Sequence, residues 1–305
     1  MRLTTLAPAK VNLVLRVGAL RPDGFHDIDS LMVPLDFGDQ VDVRVGARAG
    51  PVTCRVPGYP ELDGPGNLAA RAAEGFRRRF AVDRAVAIRI AKHTPITAGL
   101  GGGSSDAAAV LRCLARAFRI RDPAALEAVA LEVGSDVPFF LGPGPAWAAG
   151  RGERLAGASV PTLDLVLLYP TDPGLAIRAG DAYRWVDAAR PDPTRVRIPR
   201  RPARFAPGAA ANDLEPPCLA RFAPLSTLRG HLVSNGAAVA MMSGSGPTVF
   251  GIFQSRRAAR TAAAAIEREG RSAVRVFAVR TAQRHPRVVP WRSPRSASSR
   301  STRRS

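Results

Sequence analysis

The sequence predicts an α+β protein in two domains. Two observations give the class. Short β-branched runs mix with helical patterns and with glycine turns that join neighbouring runs, so βα units and hairpins alternate, unlike a doubly wound sheet. Hydrophobic residues make up 46% of the 305, enough to bury a core and to exclude a wholly disordered chain. A third observation divides the chain. Its length suits two domains at roughly 100–200 residues each, and the pattern restarts near Pro161. The predicted units are residues 1–160, residues 161–281 and a basic, unstructured tail over 282–305.

In the first unit, residues 11–17 (VNLVLRV) predict a strand by length and β-branched content. Pro22, Asp23 and Gly24 then supply a turn. Residues 39–45 and 84–92 alternate and predict strands, and between them 67–80 predicts an amphipathic helix capped by Asn67. Residues 99–118 are a glycine-rich loop running into a helix. Residues 122–134 predict another, with Asp122 as cap, Pro123 in its first turn and Gly134 past its end. Ser135 and Asp136 look like a cap before hairpin-like sequence up to Leu155. In the second unit, 163–170 (LDLVLLYP) predicts a buried strand, 178–190 a helix, 212–236 one or two helices, and 238–253 a strand, glycine turn and strand. A helix over 255–270 and a strand over 272–280 complete it.

The formal charge of +19 comes from 44 basic and 25 acidic residues. Its location matters more than its size. Seven Arg and no acid fall in 282–305, and six Arg with one Asp in 190–204. The remaining body is mildly basic, which suits a protein that handles anionic small molecules. Aromatic residues are only 6% and nearly absent from the Arg-rich stretches, so base-stacking platforms for a specific nucleic acid are not expected. Just two basic residues are lysines, Lys10 and Lys92. A compact ammonium serves where a planar guanidinium fork does not, and both lie beside the segments that carry chemistry. The three cysteines are far apart, without a CxxC pair, which excludes a disulfide framework or zinc site and fits a reducing compartment. No apolar run reaches the ~20 residues of a membrane span. Lys10 interrupts the apolar stretch a leader needs, so a cytoplasmic protein is expected.

The most informative segment is 95–109, PITAGLGGGSSDAAA. Gly99, Gly101, Gly102 and Gly103 lack Cβ, so their backbone N–H groups can approach an anion closely. Ser104 and Ser105 then open a helix whose free N–H groups suit a phosphate. Ser105 can also offer its hydroxyl to a phosphate or to Mg²⁺. A Walker A loop is excluded because no Lys follows these glycines, and a dinucleotide fingerprint because position 104 is Ser. The second glycine run, SGSGPTV over 243–249, fits a tight hairpin or the other wall of a phosphate site. Lys10 can supply a cation just before a strand. Asp136, between Gly134 and Pro138, is a candidate base in a fixed turn, and taken alone fits a helix cap better.

Five segments in this order, PAKVNLVLRVGALRPDGFHDIDSLM (8–32), PITAGLGGGSSDAAA (95–109), GSDVPFFLGPGPAWAAGRGE (134–153), NDLEPP (212–217) and SGSGPTVF (243–250), resemble the GHMP kinase superfamily over nearly all of residues 1–280. The resemblance implies a GHMP-kinase-like fold with its active site in the interdomain cleft. It implies ATP over Pro95, Ala98, Gly99, Leu100, Gly101, Gly102, Gly103, Ser104 and Ser105, with Mg²⁺ near the phosphates. It makes Lys10 and Asp136 the catalytic pair. The implied acceptor is a small molecule, a cytidine diphosphate-linked methylerythritol phosphorylated at its 2-hydroxyl on the non-mevalonate route to isoprenoid precursors. Asn12 shares a strand face with Lys10 and is an implied substrate contact. His26 would bond the cytosine, Phe25 would stack on it in place of the family's usual Tyr, and Tyr183 would close the sandwich. Lys92 aligns with a basic position that implies charge near ATP. Arg178 and Ala179 depart from the family's Ser-Thr. Other kinases of the superfamily, acting on mevalonate, homoserine or sugars, are the alternative; PDGFHDI is a base-reading segment that they do not need.

Overall fold

The computed structural model describes residues 1–192, 196–199, 201, 205–269 and 273–291. Two very long strands organise the first unit. β1 (Arg2–Leu20) and β2 (His26–Val45) run antiparallel, so the predicted strand over 11–17 grows at both ends and the one over 39–45 begins at His26. Register shifts at Pro8/Lys10, Asn12/Val14 and Val17/Leu20 let the pair run past residues that read as breaks. Gly38 allows close approach there: a Cβ would lie 2.0 Å from the Ala7 carbonyl oxygen. Lys10, expected just before a strand, therefore lies inside β1.

The sheet continues as β12 (Val289–Pro290), β1, β2, β4 (Val86–Ala91) and β3 (Val52–Arg55). A hairpin of β5 (Ala146–Gly150) and β6 (Arg154–Gly157) joins β2, and β8 (Ala211–Asn212) pairs parallel with β1. Helices α1 (Leu68–Phe80), α2 (Gly102–Phe118), α3 (Pro123–Val133) and α4 (Val137–Leu141) pack Phe76, Leu111, Leu114, Phe139 and Phe140 against Val41, Val43 and Ile90. Asn67 caps α1 and Asp122 caps α3, as their side chains predict. The one-turn helix α4 was not legible in the sequence.

The second sheet orders β11 (Val274–Arg280), β7 (Asp164–Pro170), β10 (Val249–Phe253) and β9 (Val239–Met242), all antiparallel. The helices α5 (Ala179–Ala188), α6 (Glu215–Arg221), α7 (Ala223–Ser234) and α8 (Arg256–Arg268) supply its other layer. The apolar run of β7 has a simple reason. Val166 and Leu168 join Leu225, Leu232 and Ile266, whereas Leu165 and Leu167 join Val11, Leu13, Leu31 and Phe250. Hence β1 and β2 share a core with the second sheet. Among the described residues no helix is long and apolar enough to cross a membrane.

The expected tail is corrected in part. Residues 282–291 return to the first sheet. Ala282 donates to the Pro34 carbonyl, His285 packs edge-on against Phe139 and Phe140, and β12 pairs with Leu3 and Thr4. The Arg2 guanidinium lies 3.3 Å above the Trp291 ring. The segment lacks periodicity, so each contact is individually made and none shows in a pattern. Residues 292–305 lie outside the described residues, as does part of the 190–204 stretch. Deleting 283–305 removes buried Val288 and the half-buried His285 ring, and uncovers Phe139 and Phe140 beneath it. It is expected to lower the melting temperature by about 5 °C or more, since one buried aliphatic side chain contributes ~1.5–3 kcal/mol and 1 kcal/mol moves Tm by ~2–4 °C at 150–250 residues. An unchanged melting curve would show that the segment contributes nothing.

Candidate active site

The register shifts of β1 bracket Lys10, Val11 and Asn12, and the period of two puts Lys10 and Asn12 on one face. The Lys10 ammonium donates to Asn12 Oδ1 at 2.6 Å. Asn12 Nδ2 donates to Ser30 Oγ at 2.7 Å, and Ser30 donates to the Val14 carbonyl at 2.8 Å. This chain fixes both side chains. Asp136 precedes α4 but makes no capping bond. Its carboxylate lies 3.8 Å from Lys10 Nζ, with the lysine side chain buried and that of Asp136 40% exposed. The pair therefore has a protected cation and an accessible carboxylate. Burial lowers the Lys10 pKa from its ordinary value, and Asp136 opposes that shift.

The glycine run passes directly above. Thr97, Gly99 and Gly101 have φ of 54°, 73° and 69°, an alternation that lets amide groups turn toward one concavity. A Cβ on Gly101 would lie 3.0 Å from Lys10 Cγ, so only glycine lets the loop cross the lysine. Gly101 precedes α2, whose first amides receive no side-chain cap. The second glycine turn closes from the other unit: Ser243 Oγ donates to the Gly99 carbonyl at 3.1 Å, and a Cβ on Gly244 would lie 3.4 Å from Lys10 Nζ. Asn212 steadies this turn by donating to the Met242 and Gly244 carbonyls. The sequence offered NDLEPP as a motif without showing that role.

A cavity of about 740 Å³ opens here, lined by Lys10, Asn12, Gly99, Gly101, Asp136, Gly244 and Ser245 at one end and by Phe25, His26, Tyr183 and Asp187 at the other. His26 stacks on Tyr183, with ring centroids 5.4 Å apart and planes 13° apart. Its Nε2 lies 3.0 Å from Asp187 Oδ1. Burial lowers the His26 pKa, with Asp187 opposing. The ring is thus neutral near pH 7, donates Nε2–H to Asp187 and keeps Nδ1 as an acceptor. Phe25 is 47% exposed, and the Arg151 guanidinium lies 3.6 Å above its ring.

Not every expected residue faces this cavity. Ala98 and Leu100 are buried in the core between the sheets, so their side chains are unavailable to a ligand. Pro95 and Ser105 are buried too, and Pro95, Gly102, Gly103, Ser104 and Ser105 do not line the cavity. Arg178 is exposed and outside it; Ala179 and Gly180 line it instead, so no hydroxyl replaces the missing Ser-Thr. Lys92 does not line it either. Arg151 and Asp187 escaped the sequence reading. Asp187 lies four residues after Tyr183 on one helix face, a spacing that offered a signal. Arg151 offered none in a chain so rich in arginine.

Comparison with known proteins draws these features together. The description "GHMP kinases N terminal domain" matches residues 67–144 and "GHMP kinases C terminal" matches 200–272. A 4-diphosphocytidyl-2-C-methyl-D-erythritol kinase of Anaeromyxobacter sp. (strain K) is 71% identical over 309 aligned positions, covering 100% of this chain and 99% of the relative.

The chain belongs to the GHMP kinase family.

A kinase of the same name from Deinococcus radiodurans is 40% identical over 85% of this GHMP kinase and 87% of its own length. The crystal structure of a 4-(cytidine 5'-diphospho)-2C-methyl-D-erythritol kinase superposes with a TM-score of 0.76 at 35% identity, covering 91% of this chain and 98% of that one. Homoserine kinase from Cytophaga hutchinsonii gives 0.70 at 16% identity, covering 94% and 97%, a likeness of fold alone. The family makes this GHMP kinase a small-molecule kinase that uses ATP.

Proposed function

We propose that this kinase transfers the γ-phosphoryl group of ATP to the 2-hydroxyl of 4-diphosphocytidyl-2-C-methyl-D-erythritol, in non-mevalonate isoprenoid precursor biosynthesis in the cytoplasm. The observation that carries the proposal is the Lys10–Asp136 pair, 3.8 Å apart on one cavity wall between a glycine loop and an aromatic, hydrogen-bonding pocket. Identity of 71% over the whole chain supports the choice of acceptor.

In this reading the acceptor hydroxyl lies against Asp136, which takes its proton as the new O–P bond forms and the bond to the β–γ bridging oxygen breaks. Lys10 orients Asp136 and balances charge as it develops. Asn12 holds Lys10 and offers its amide to the acceptor. Amides of the glycine loop and the start of α2 hold the ATP phosphates. His26 Nδ1 accepts from the exocyclic amine of cytosine; uracil has a carbonyl there and cannot donate. Phe25 and Tyr183 offer ring faces to the base.

The site also fits Mg²⁺ in one respect: the Ser105 hydroxyl is buried without a hydrogen-bond partner beside the phosphate loop. Among the described residues no group of three or more His, Cys, Asp or Glu can hold a metal. Ser105 does not line the cavity, however, so phosphate oxygens and water would form most of the shell. When bound, the ion would neutralise phosphate charge.

The test is ADP release with ATP and Mg²⁺ in the presence of this acceptor, its uridine analogue, homoserine or mevalonate. Release with the cytidyl acceptor alone is expected; release with another alcohol alone would overturn the choice of substrate. A further expectation concerns pH. Because burial lowers the Lys10 pKa, the alkaline limb of kcat/KM is expected below the ordinary lysine range, as the ammonium loses its proton. A pH–rate profile checks this, and Lys10→Arg should remove that limb. A limb at an ordinary lysine value would contradict it.

A further inference from the structure

The Lys92 side chain is as buried as that of Lys10, but it does not line the cavity. It follows β4, and its ammonium lies 2.5 Å from Asp39 Oδ2 on β2 and 2.9 Å from Asp106 Oδ2 on α2. The three side chains are 5%, 0% and 4% exposed. Asp39 Oδ1 also accepts from the amides of His93 and Thr94 at 2.6 and 2.8 Å. The ammonium therefore joins three elements beneath the start of the glycine-loop helix.

We propose that Lys92 is a positioning residue for the nucleotide phosphates: held between Asp39 and Asp106, it fixes the first turns of α2 against β2 and β4, so that the loop amides keep their aim into the cavity. The inference rests on the reading of the glycine loop as the ATP phosphate site.

Three observations carry it. First, space is limited. A Cβ on Gly102 would lie 3.3 Å from Lys92 Nζ and 3.0 Å from Thr94 Cγ2, so the first turn of α2 sits directly on the ammonium. A guanidinium is larger, planar and forked, and would press on Gly102 above it. Second, 42 of the 44 basic residues are Arg, so Lys at this buried position stands against the chain's own habit. Third, Thr94 Oγ1, Ser105 Oγ and Asp106 Oδ1 are buried without hydrogen-bond partners. This corner is polar yet sparsely tied, and the two bonds from Lys92 hold it.

The charges also agree. Asp39 accepts two amides and the ammonium. Burial and then the Asp39 charge push Asp106 well above the usual carboxylate range, with Lys92 opposing.

The test uses full-length Lys92→Arg, Lys92→Met, Asp106→Asn and Asp106→Ala, with ATP affinity by calorimetry, KM for both substrates and thermal melting. Both Lys92 variants are expected to weaken ATP binding by about ten- to a hundredfold, with KM for the acceptor within about twofold. Asp106→Asn should recover most of the ATP affinity that Asp106→Ala loses, because it keeps the shape and the acceptor oxygen. Wild-type ATP affinity in Lys92→Arg would overturn the proposal, since charge alone would then suffice. Equal losses for both substrates, in step with melting, would reduce the cluster to a fold staple. If neither Lys92 variant folds, the Asp106 pair decides: ATP-specific loss in Ala with recovery in Asn supports the proposal, and any other pattern refutes it. Calorimetry needs no acceptor. Failure of the acceptor assay with intact ATP binding therefore counts against the substrate reading alone, whereas a wild-type chain that does not bind ATP refutes the phosphate site itself.

Discussion

Asp136→Asn is expected to lower kcat by about 10²–10⁴-fold, the usual worth of a positioned general base, with ATP affinity within about twofold of wild type. The substitution keeps the shape and removes the charge. The Asp136 side chain is 40% exposed and does not cap α4, so neither folding nor the helix depends on it. Among the described residues it pairs with Lys10, and that ammonium keeps Asn12 Oδ1 at 2.6 Å when the carboxylate is gone. A single-turnover measurement of phosphorylated acceptor, alongside ATP titration, separates the steps. Loss of turnover with intact binding supports Asp136 as base. Full turnover would retain the kinase and discard the base. Lost ATP binding would point to a role in holding the nucleotide.

Gly99→Ala is expected to disable the site from the opposite side. Gly99 has φ of 73°, which costs an L-residue roughly 1–2 kcal/mol. A Cβ would also lie 2.2 Å from the Ser243 carbonyl oxygen and 3.0 Å from the Gly246 amide nitrogen. Both are backbone atoms, so no rotamer relieves the contact. The two glycine turns must separate, breaking the bond from Ser243 Oγ to the Gly99 carbonyl and opening the wall beside Lys10. The expected result is a rise in KM for ATP of about tenfold or more, with a lower melting temperature. Gly208→Ala is the control: nothing lies within 4 Å of its Cβ, its φ is not left-handed, and it should melt and turn over as wild type. Normal ATP affinity in Gly99→Ala would mean that the contact between the turns is incidental to nucleotide binding.

What the sequence made legible follows from what is local in it. Asn67 and Asp122 cap their helices because capping involves a side chain and an amide a few residues away. The apolar run of β7 showed a strand buried on both faces. The glycine loop was legible because only glycine tolerates its geometry. Long-range juxtapositions were not. Lys10 and Asp136 each looked reactive, but only the fold brings them within 3.8 Å. Lys92 read only as charge near ATP; its partners Asp39 and Asp106 were not legible because they come from other elements. The resemblance singled out His26, but the carboxylate of Asp187 beside it was not legible. Pro95, Ala98, Leu100 and Ser105 share the loop's segment, yet their burial excludes the first three side chains from ligand contact and leaves Ser105 beneath the helix start.

The course of β1 has a consequence for how the protein can be made. Leu3 and Ala7 enter the first core, Val11 and Leu13 the core between the sheets, and Leu15 and Val17 the core of the second sheet. Its partners β8 and β12 come from far later in the chain. On a ribosome, β1 emerges early and then waits for almost everything else. Until residues 289 and 290 appear, part of its edge stays open, and an open strand edge invites pairing with another chain. The two units are thus not interchangeable cassettes. A fragment ending at residue 160 would carry β1 with its later neighbours missing, and would present to solvent, or to a second copy of itself, the apolar face that the intact enzyme encloses.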